Sequence, residues 1–191
     1  SWKEALKKAQ AVFVGPGLGP CKEWLRQHLK EIKQPCVIDA DALLPDVTYP
    51  KKAILTPHRG EVLRLLGLKA APRDEELFAK IIQFCSKKGV YVVLKGAVSA
   101  IFGPKHKPIF VPRGDPGMAS AGTGDVLTGM IAGLLAQGCG PYESAILGVT
   151  LHALAGEFAA DALTSYCLTA TDLITFLPAA FAEVLRGHDI V

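Results

Sequence analysis

The stretch Arg113–Gly138, RGDPGMASAGTGDVLTGMIAGLLAQG, holds the residues whose types and spacing best suit chemistry. Gly122-Thr123-Gly124 is followed by one carboxylate, Asp125, after which apolar residues recur at helical spacing. A glycine-rich loop running into a helix leaves backbone N–H groups unpaired around one point, with the positive end of the helix dipole behind them. Small side chains let an anion such as a phosphate approach those amides. An aspartate at the helix start is expected to be ionised and could take a proton from a hydroxyl as its oxygen attacks phosphorus. Asp125 would equally suit plain capping after a tight turn. The small residues that follow (Thr128, Gly129, Ala132, Gly133) favour phosphoryl chemistry, with Asp125 as base and the 122–125 amides as anion hole.

Other polar loops ask for the same comparison. Gly15 to Gly19 (GPGLG) is not a dinucleotide fingerprint, because its spacing is G-x-G-x-G. It suits either a turn needing positive φ or close backbone approach to a ligand. Asp39 and Asp41 flank one alanine; if extended they share a side and could hold Mg²⁺, or one could cap a turn while the other pairs with a basic residue. His58 lies in the polar loop Thr56-Pro57-His58-Arg59-Gly60, where a neutral imidazole can contact a polar substrate; Thr56 or His58 can also cap the helix that follows. His28, His106, His152 and His188 have no such setting. Lys95-Gly96 ends the strongest strand pattern, VYVVLK, so its ammonium is expected at the sheet edge, where it can serve phosphates; Gly96 to Ser99 offers backbone atoms to a nucleoside. Neither a P-loop nor a G-x-S-x-G frame is present.

The elements needed to hold these loops alternate along the chain. Helical spacing covers 2–9, 21–33, 61–66, 73–88, 124–137, 142–163 and 170–185, with Thr171 or Asp172 as caps for the last. Short apolar runs at 11–14, 36–38, 53–55 and 90–95 read as buried strands, and 98–102 with 109–111 as a hairpin. This alternation predicts one α/β domain with a mainly parallel sheet, whose ligands bind beyond the carboxyl ends of the strands. The loops singled out above all fall at that end.

The chain has 191 residues, half of them hydrophobic and a fifth charged, with a formal net charge of +3. That suits a single globular domain and gives no reason to expect nucleic acid. The scattered early lysines and arginines read as solvated helix faces. The apolar stretch 145–155 is too short for a bilayer and reads as a buried helix, so no membrane is expected. Five dispersed cysteines without C-x-x-C spacing predict reduced thiols, a cytoplasmic protein and no cysteine metal site. The chain opens at Ser1-Trp2-Lys3 without an initiator Met, which predicts a fragment or a processed chain.

With these residues assembled, the chain resembles the ADP/ATP-dependent NAD(P)H-hydrate dehydratases, a carbohydrate-kinase-related, ribokinase-like family. The resemblance rests on VGPGLG, VIDADAL, ILTPHRGEVLRLLG, VVLKGAVSAI, GDPGMASAGTGDVLTGMIAGLLAQG, LHALAGEFAAD and TATDLI, in family order over most of 11–175. It implies a three-layer α/β/α fold and repair of hydrated NADH or NADPH at the expense of ADP or ATP, with Mg²⁺. It also implies Asp125 as catalytic base, Gly17, His58 and Asp125 on the hydrate, and Lys95, Gly96, Ala97, Val98 and Ser99 with Gly122, Thr123 and Gly124 on the nucleotide. Analogy with the fold adds an expected homo-oligomer.

Departures from the family pattern are local. Its glycine- and alanine-rich opening segment, with its strand and a substrate contact, is expected to be missing, so residues 1–191 read as one domain incomplete at its amino terminus. Asp115 stands where asparagine is usual and adds a negative charge near the phosphates. Leu44 replaces an asparagine, and Val98-Ser99 replaces Gly-Thr. Two rival readings share the residues: a small-molecule alcohol kinase of the same fold class, and a nucleotide-binding module without turnover. An epimerase half upstream is also compatible.

Overall fold

A computed structural model describes residues 2–187; His188 lies outside the described residues. Six strands form one sheet in the order β1 (Val12–Val14), β2 (Cys36–Ile38), β3 (Ile54–Leu55), β4 (Tyr91–Leu94), β5 (Ser99–Phe102) and β6 (Ile109–Val111). The first four are parallel, while β5 and β6 add an antiparallel hairpin. The expected α/β architecture, mainly parallel, is therefore present.

Side chains alternate across a strand, and here the alternation divides two cores. Cys36, Ile38, Leu55, Val92, Leu94 and Phe102 face one side, against Leu25, Val62, Leu77 and Ile81. Those partners come from α2 (Lys22–His28), α3 (Arg59–Leu65) and α4 (Asp74–Lys88). Val37, Ile54, Val93 and Ile101 face the other side, against Leu127, Ile131 and Leu135 of α5 (Thr123–Ala136) and Ala145 and Val149 of α6 (Pro141–Leu163). Strands buried on both faces explain why their sequences run apolar without a polar beat. A third apolar cluster packs α7 (Ala170–Arg186) on α6 through Leu151, Ala155, Leu173 and Ala180.

Small residues set the spacing of the last three helices. A Cβ on Gly148 would lie 2.6 Å from Ile131 Cγ1, and one on Gly156 would overlap the Met118 thioether. The stretch 145–155 belongs to a helix of 23 residues, long and apolar enough by length and composition to cross a membrane. The helical spacing read at 142–163 matches this helix to within one residue of its start at Pro141. Leu151 and Ala155 are fully buried among α5 and α7, so this is the central helix of the layer, as a buried helix was expected to be.

Several boundaries differ from expectation, among them the start of α3, at Arg59 where 61 was expected. The first helix, α1, covers Trp2–Lys8. The helix expected over 21–33 stops at His28 and ends in a 3-10 turn at Leu29–Glu31. The last helix is capped by Thr169, not Thr171: Asp172 accepts the Thr169 backbone N–H at 2.8 Å, and the Thr169 side chain turns back to complete a capping box. Leu44 is buried, its carbonyl accepting the Tyr49 hydroxyl at 2.6 Å, so an apolar residue suits that position.

Candidate functional site

The parallel strands β1 to β4 end on one edge, and the loops that follow them, at 15–19, 39–42, 56–58 and 95–98, lie together there. The amino end of α5 meets the same edge. Its cap, Gly122, has φ 88°, in the left-handed region open to glycine. A Cβ on Gly124 would stand 3.4 Å from Lys95 Nζ and 3.8 Å from Asp39 Oδ2, so glycine keeps room between the helix start and these charges. The Thr123 hydroxyl donates to the carbonyls of Met118 at 2.7 Å and Ser120 at 2.9 Å, which pins the loop ahead of the helix.

A cleft of about 710 Å³ opens at this point. Its sheet side is formed by His58, Lys95, Gly96, Ala97 and Ser99. Thr123, Gly124 and Leu127 of α5 form its floor. Its far wall comes from the 113–119 loop and from Val149, His152 and Ala153 of α6. Apolar walls with a few converging polar groups are the usual make-up of a small-molecule site.

Asp39 is the charged centre beneath the cleft. It is 2% exposed. Its Oδ1 accepts from Lys95 Nζ at 2.8 Å and its Oδ2 from Thr128 Oγ1 at 3.1 Å. Asp41 points elsewhere and accepts the Gly19 N–H at 3.0 Å. The two carboxylates therefore do not share a side: Ala40, with φ 47°, starts a 3-10 turn at Ala40–Ala42 and breaks the extended run. Lys95 is thus a cation with one face paired and the rest open to the cleft.

His58 is the cap of α3. Its Nδ1 accepts the N–H groups of Gly60 at 3.0 Å and Glu61 at 3.4 Å, while Glu61 accepts the His58 N–H at 2.8 Å. Nε2 lies 3.6 Å from the Glu61 carboxylate, on an exposed ring at the cleft wall. Capping and contact with a ligand are compatible, because they use different nitrogens.

The 113–118 loop is tied down twice. Arg113 makes a two-pronged pair with Glu157, at 2.6 and 3.3 Å, and Glu157 also accepts the Gly114 N–H at 2.8 Å. The guanidinium, first, and the Gly114 amide hold the Glu157 carboxyl below its ordinary range, against partial burial. Asp115 accepts from Gly117 N at 2.7 Å and from the Ser165 hydroxyl at 2.9 Å. Its carboxylate therefore joins this loop to the α6–α7 connection. Both partners are donors, so a carboxylate, which only accepts, serves both.

Of the residues singled out in the sequence, His58, Lys95, Gly96, Ala97, Ser99, Thr123 and Gly124 line the cleft. Gly17, Val98, Gly122 and Asp125 do not. Val98 is 50% exposed and turned outward. Gly17 has φ 70° and open space around it; the tight contact in its loop is at Gly15, whose Cβ would collide with the Asp39 carbonyl. Asp125 is the third residue of α5, exposed, with no hydrogen-bond or ion-pair partner among the described residues. It lies one helix position past the cleft floor.

Sequence reasoning passed over His152 and left Asp39 undecided. His152 Nε2 lies 2.9 Å from the Thr123 carbonyl, and burial, first, holds its pKa down at about 4. Its only sequence signal was a polar residue inside an apolar helix. Asp39 and Lys95 each follow a parallel strand, β2 and β4, that flanks β3, which brings both to the same end of the sheet.

Mg²⁺ binds through one or two carboxylates plus nucleotide phosphates more often than in an all-protein cage. Among the described residues no group of three His, Cys, Asp or Glu could hold a metal. Asp39, Asp41 and Asp115 already accept from protein donors, which leaves the unpartnered Asp125 as the open carboxylate. This donor set fits a nucleotide-borne Mg²⁺, with at most one carboxylate from the chain.

Residues 1–179 match the family model described as NAD(P)H-hydrate dehydratase. The chain is 38% identical over 185 residues to a bifunctional NAD(P)H-hydrate repair enzyme of Moorella thermoacetica, covering 92% of this chain and 35% of that protein. It thus spans about a third of the length of that relative. An ADP/ATP-dependent NAD(P)H-hydrate dehydratase from Bacillus subtilis, co-crystallised with ATP and Mg²⁺, superposes with a TM-score of 0.78 at 33% identity, over 95% of this chain and 69% of that one. A ribokinase-like superfamily protein of Enterococcus faecalis superposes with a TM-score of 0.83 at 32% identity, over 95% and 66%.

Proposed function

The chain belongs to the NAD(P)H-hydrate dehydratase family, and from that premise we propose that it carries out the ADP- or ATP-dependent dehydration of hydrated NADH or NADPH. The observation that carries the reading is the cleft between Lys95 and the amino end of α5. A cation and the amino end of α5 face one space there, which suits the phosphates of a nucleotide. The segment Gly96–Ser99 beside it offers backbone atoms to the nucleoside.

Hydroxide leaves a carbon poorly, whereas phosphate leaves well. Asp125 takes the proton of the ring hydroxyl as its oxygen forms a bond to the terminal phosphorus and the anhydride bond to the nucleotide breaks. The amides of 122–124 hold the charge that gathers on the phosphoryl oxygens. The ring nitrogen's electron pair then expels phosphate, and loss of a proton from the neighbouring carbon restores the double bond. When bound with the nucleotide, Mg²⁺ supplies neutralisation of phosphate charge. Gly17 and His58 Nε2 are assigned to the hydrate.

Asp125 follows Gly124 of the cleft floor directly, so a hydroxyl it activates would be close to a phosphate held at the start of α5. The same reading makes the protein a cytoplasmic homo-oligomer that needs neither nucleic acid nor membrane. Burial, which pushes the Cys36 and Cys85 thiols up to about 12, is consistent with inert reduced cysteines.

The test is a coupled assay on the full-length protein with NADH hydrate, ADP or ATP, and Mg²⁺. Recovery of the reduced-nicotinamide absorbance is expected, with one phosphate released per nucleotide. A stable phosphorylated product without that recovery would instead identify an alcohol kinase.

A further inference from the structure

His152 is a polar side chain of the cleft wall with no role in the proposed reaction. It sits on α6 opposite Lys95, and its ring is tied to the first residue of α5. The Thr123 carbonyl can only accept, so His152 Nε2 must carry the hydrogen of that 2.9 Å bond. In the neutral ring Nδ1 is then a bare lone pair. No group among the described residues donates to it. The buried side-chain polar atoms without a partner are Ser120 Oγ and Ser144 Oγ, so partnerless Nδ1 retains access to solvent. On a residue otherwise packed in the cleft wall, that access opens into the cleft.

We infer that His152 contacts the bound nucleotide directly, with Nδ1 accepting a hydrogen bond from an N–H or O–H of its nucleoside part. The inference rests on the proposed nucleotide site and adds a specificity-determining residue to it. A lone pair repels ionised phosphate oxygens, so beside an anion site it selects the portion of the ligand that carries donors. In an adenine nucleotide these are the ribose hydroxyls and the exocyclic amine. Burial supports the assignment, because it holds the ring in the neutral form that has a lone pair to offer. The tie to Thr123 fixes both the tautomer and the direction of the lone pair.

Two substitutions separate the nitrogens. His152→Gln can keep a donor to the Thr123 carbonyl but removes the acceptor, whereas His152→Asn puts an amide oxygen near the place of Nδ1 and loses the tie. ADP affinity of the full-length protein is measured by calorimetry. The inference expects the Gln variant to bind about 3- to 10-fold more weakly, the value of one neutral hydrogen bond. It expects that loss to merge with the loss shown by one of three analogues: 2′-deoxy-ADP, 3′-deoxy-ADP or IDP. The analogue whose effect does not add to the Gln variant's identifies the donor as a hydroxyl or the amine. Gln binding as well as the unaltered protein overturns the inference, whatever Asn does. Should the Gln variant not fold, ¹⁵N-histidine spectra of the unaltered protein decide: the His152 Nδ1 resonance must move upfield when ADP is added, and an unmoved resonance overturns the contact. Failure of the unaltered protein to bind ADP at all counts against the proposed function itself.

Discussion

At the residue scale the charges near the cleft are not equivalent. Asp39 is 2% exposed, whereas the Lys95 side chain retains 23% exposure. Removing Lys95 leaves a carboxylate that water cannot reach; removing the Asp39 charge leaves an ammonium that can be rehydrated. Lys95→Met is therefore expected to cost about 3–5 kcal/mol, the usual penalty for stranding one member of a buried pair, and Asp39→Asn clearly less. Denaturant unfolding of both variants measures this. It also decides how a nucleotide titration of Lys95→Ala is read. The weaker binding expected there counts as a lost phosphate contact only if a variant with Asp39→Asn added, which restores stability, still binds weakly.

Asp125 gives a simpler expectation at the same scale. Exposed and unpartnered, it holds up no other group among the described residues, so Asp125→Asn should fold normally. Turnover should fall by about 10²–10⁴-fold, the range for loss of a general base, with ADP affinity nearly unchanged. Single-turnover kinetics alongside calorimetry check both halves, and near-normal turnover removes Asp125 from the base role. His152 sets a pH dependence. Its folded pKa is about 4, below the ordinary 6.5, so between those values the unfolded chain binds the proton and the folded one does not. Stability should fall as pH drops from 6.5 to 4, by up to about 3 kcal/mol, then level off with respect to this group. His152→Gln should remove that component from a pH series of unfolding curves.

At the scale of elements, the α5–α6 crossing governs the cleft, because its floor and one wall come from these two helices. Gly148 packs directly on α5, with Ile131 Cγ1 already 2.6 Å from where a Cβ would be. Gly148→Val should push the helices apart and cost about 1–3 kcal/mol by overpacking, lowering the melting temperature by several degrees. The capping box at Thr169–Asp172 is worth less: Thr169→Ala should cost about 1 kcal/mol, with the cleft untouched. Calorimetric melting separates the two. The helices themselves were legible from apolar spacing and, for α5, from the glycine-rich loop at 122–124. The crossings were not, because a glycine in a helix pattern does not say which partner comes close. The cap of α7 was misplaced by two residues, since TATD offers three candidate side chains and only the turn into the helix selects Thr169.

For the whole molecule, four parallel strand ends and one helix start meet along a single edge, and a ligand there touches elements from residue 58 to residue 153. Binding should therefore stabilise the domain as a unit. ADP at a hundred times its Kd is expected to raise stability by about 2.7 kcal/mol, visible as an upward shift of one unfolding transition. A transition that ignores ADP would show that the cleft does not hold it.

What the sequence by itself determined is local and repetitive. Apolar runs of three to six residues, helical spacing and glycine-ended strands specify an α/β chain, and the parallel arrangement sends its loops to one edge. That was enough to gather Lys95, Gly96, Ala97, Ser99, Thr123 and Gly124 before any coordinates. Only the tertiary structure decided what each polar group faces. Asp39 turns inward to Lys95 and Thr128 because Ala40 adopts a left-handed turn. Asp115, an odd charge in the sequence, joins two loops fifty residues apart. His152, one polar residue in an apolar helix, becomes a cleft wall because α6 rotates it onto the α5 start. Spacing along a chain encodes which face of an element is buried; the partner that meets a polar group across that face is set by packing, and packing is not written in any one segment.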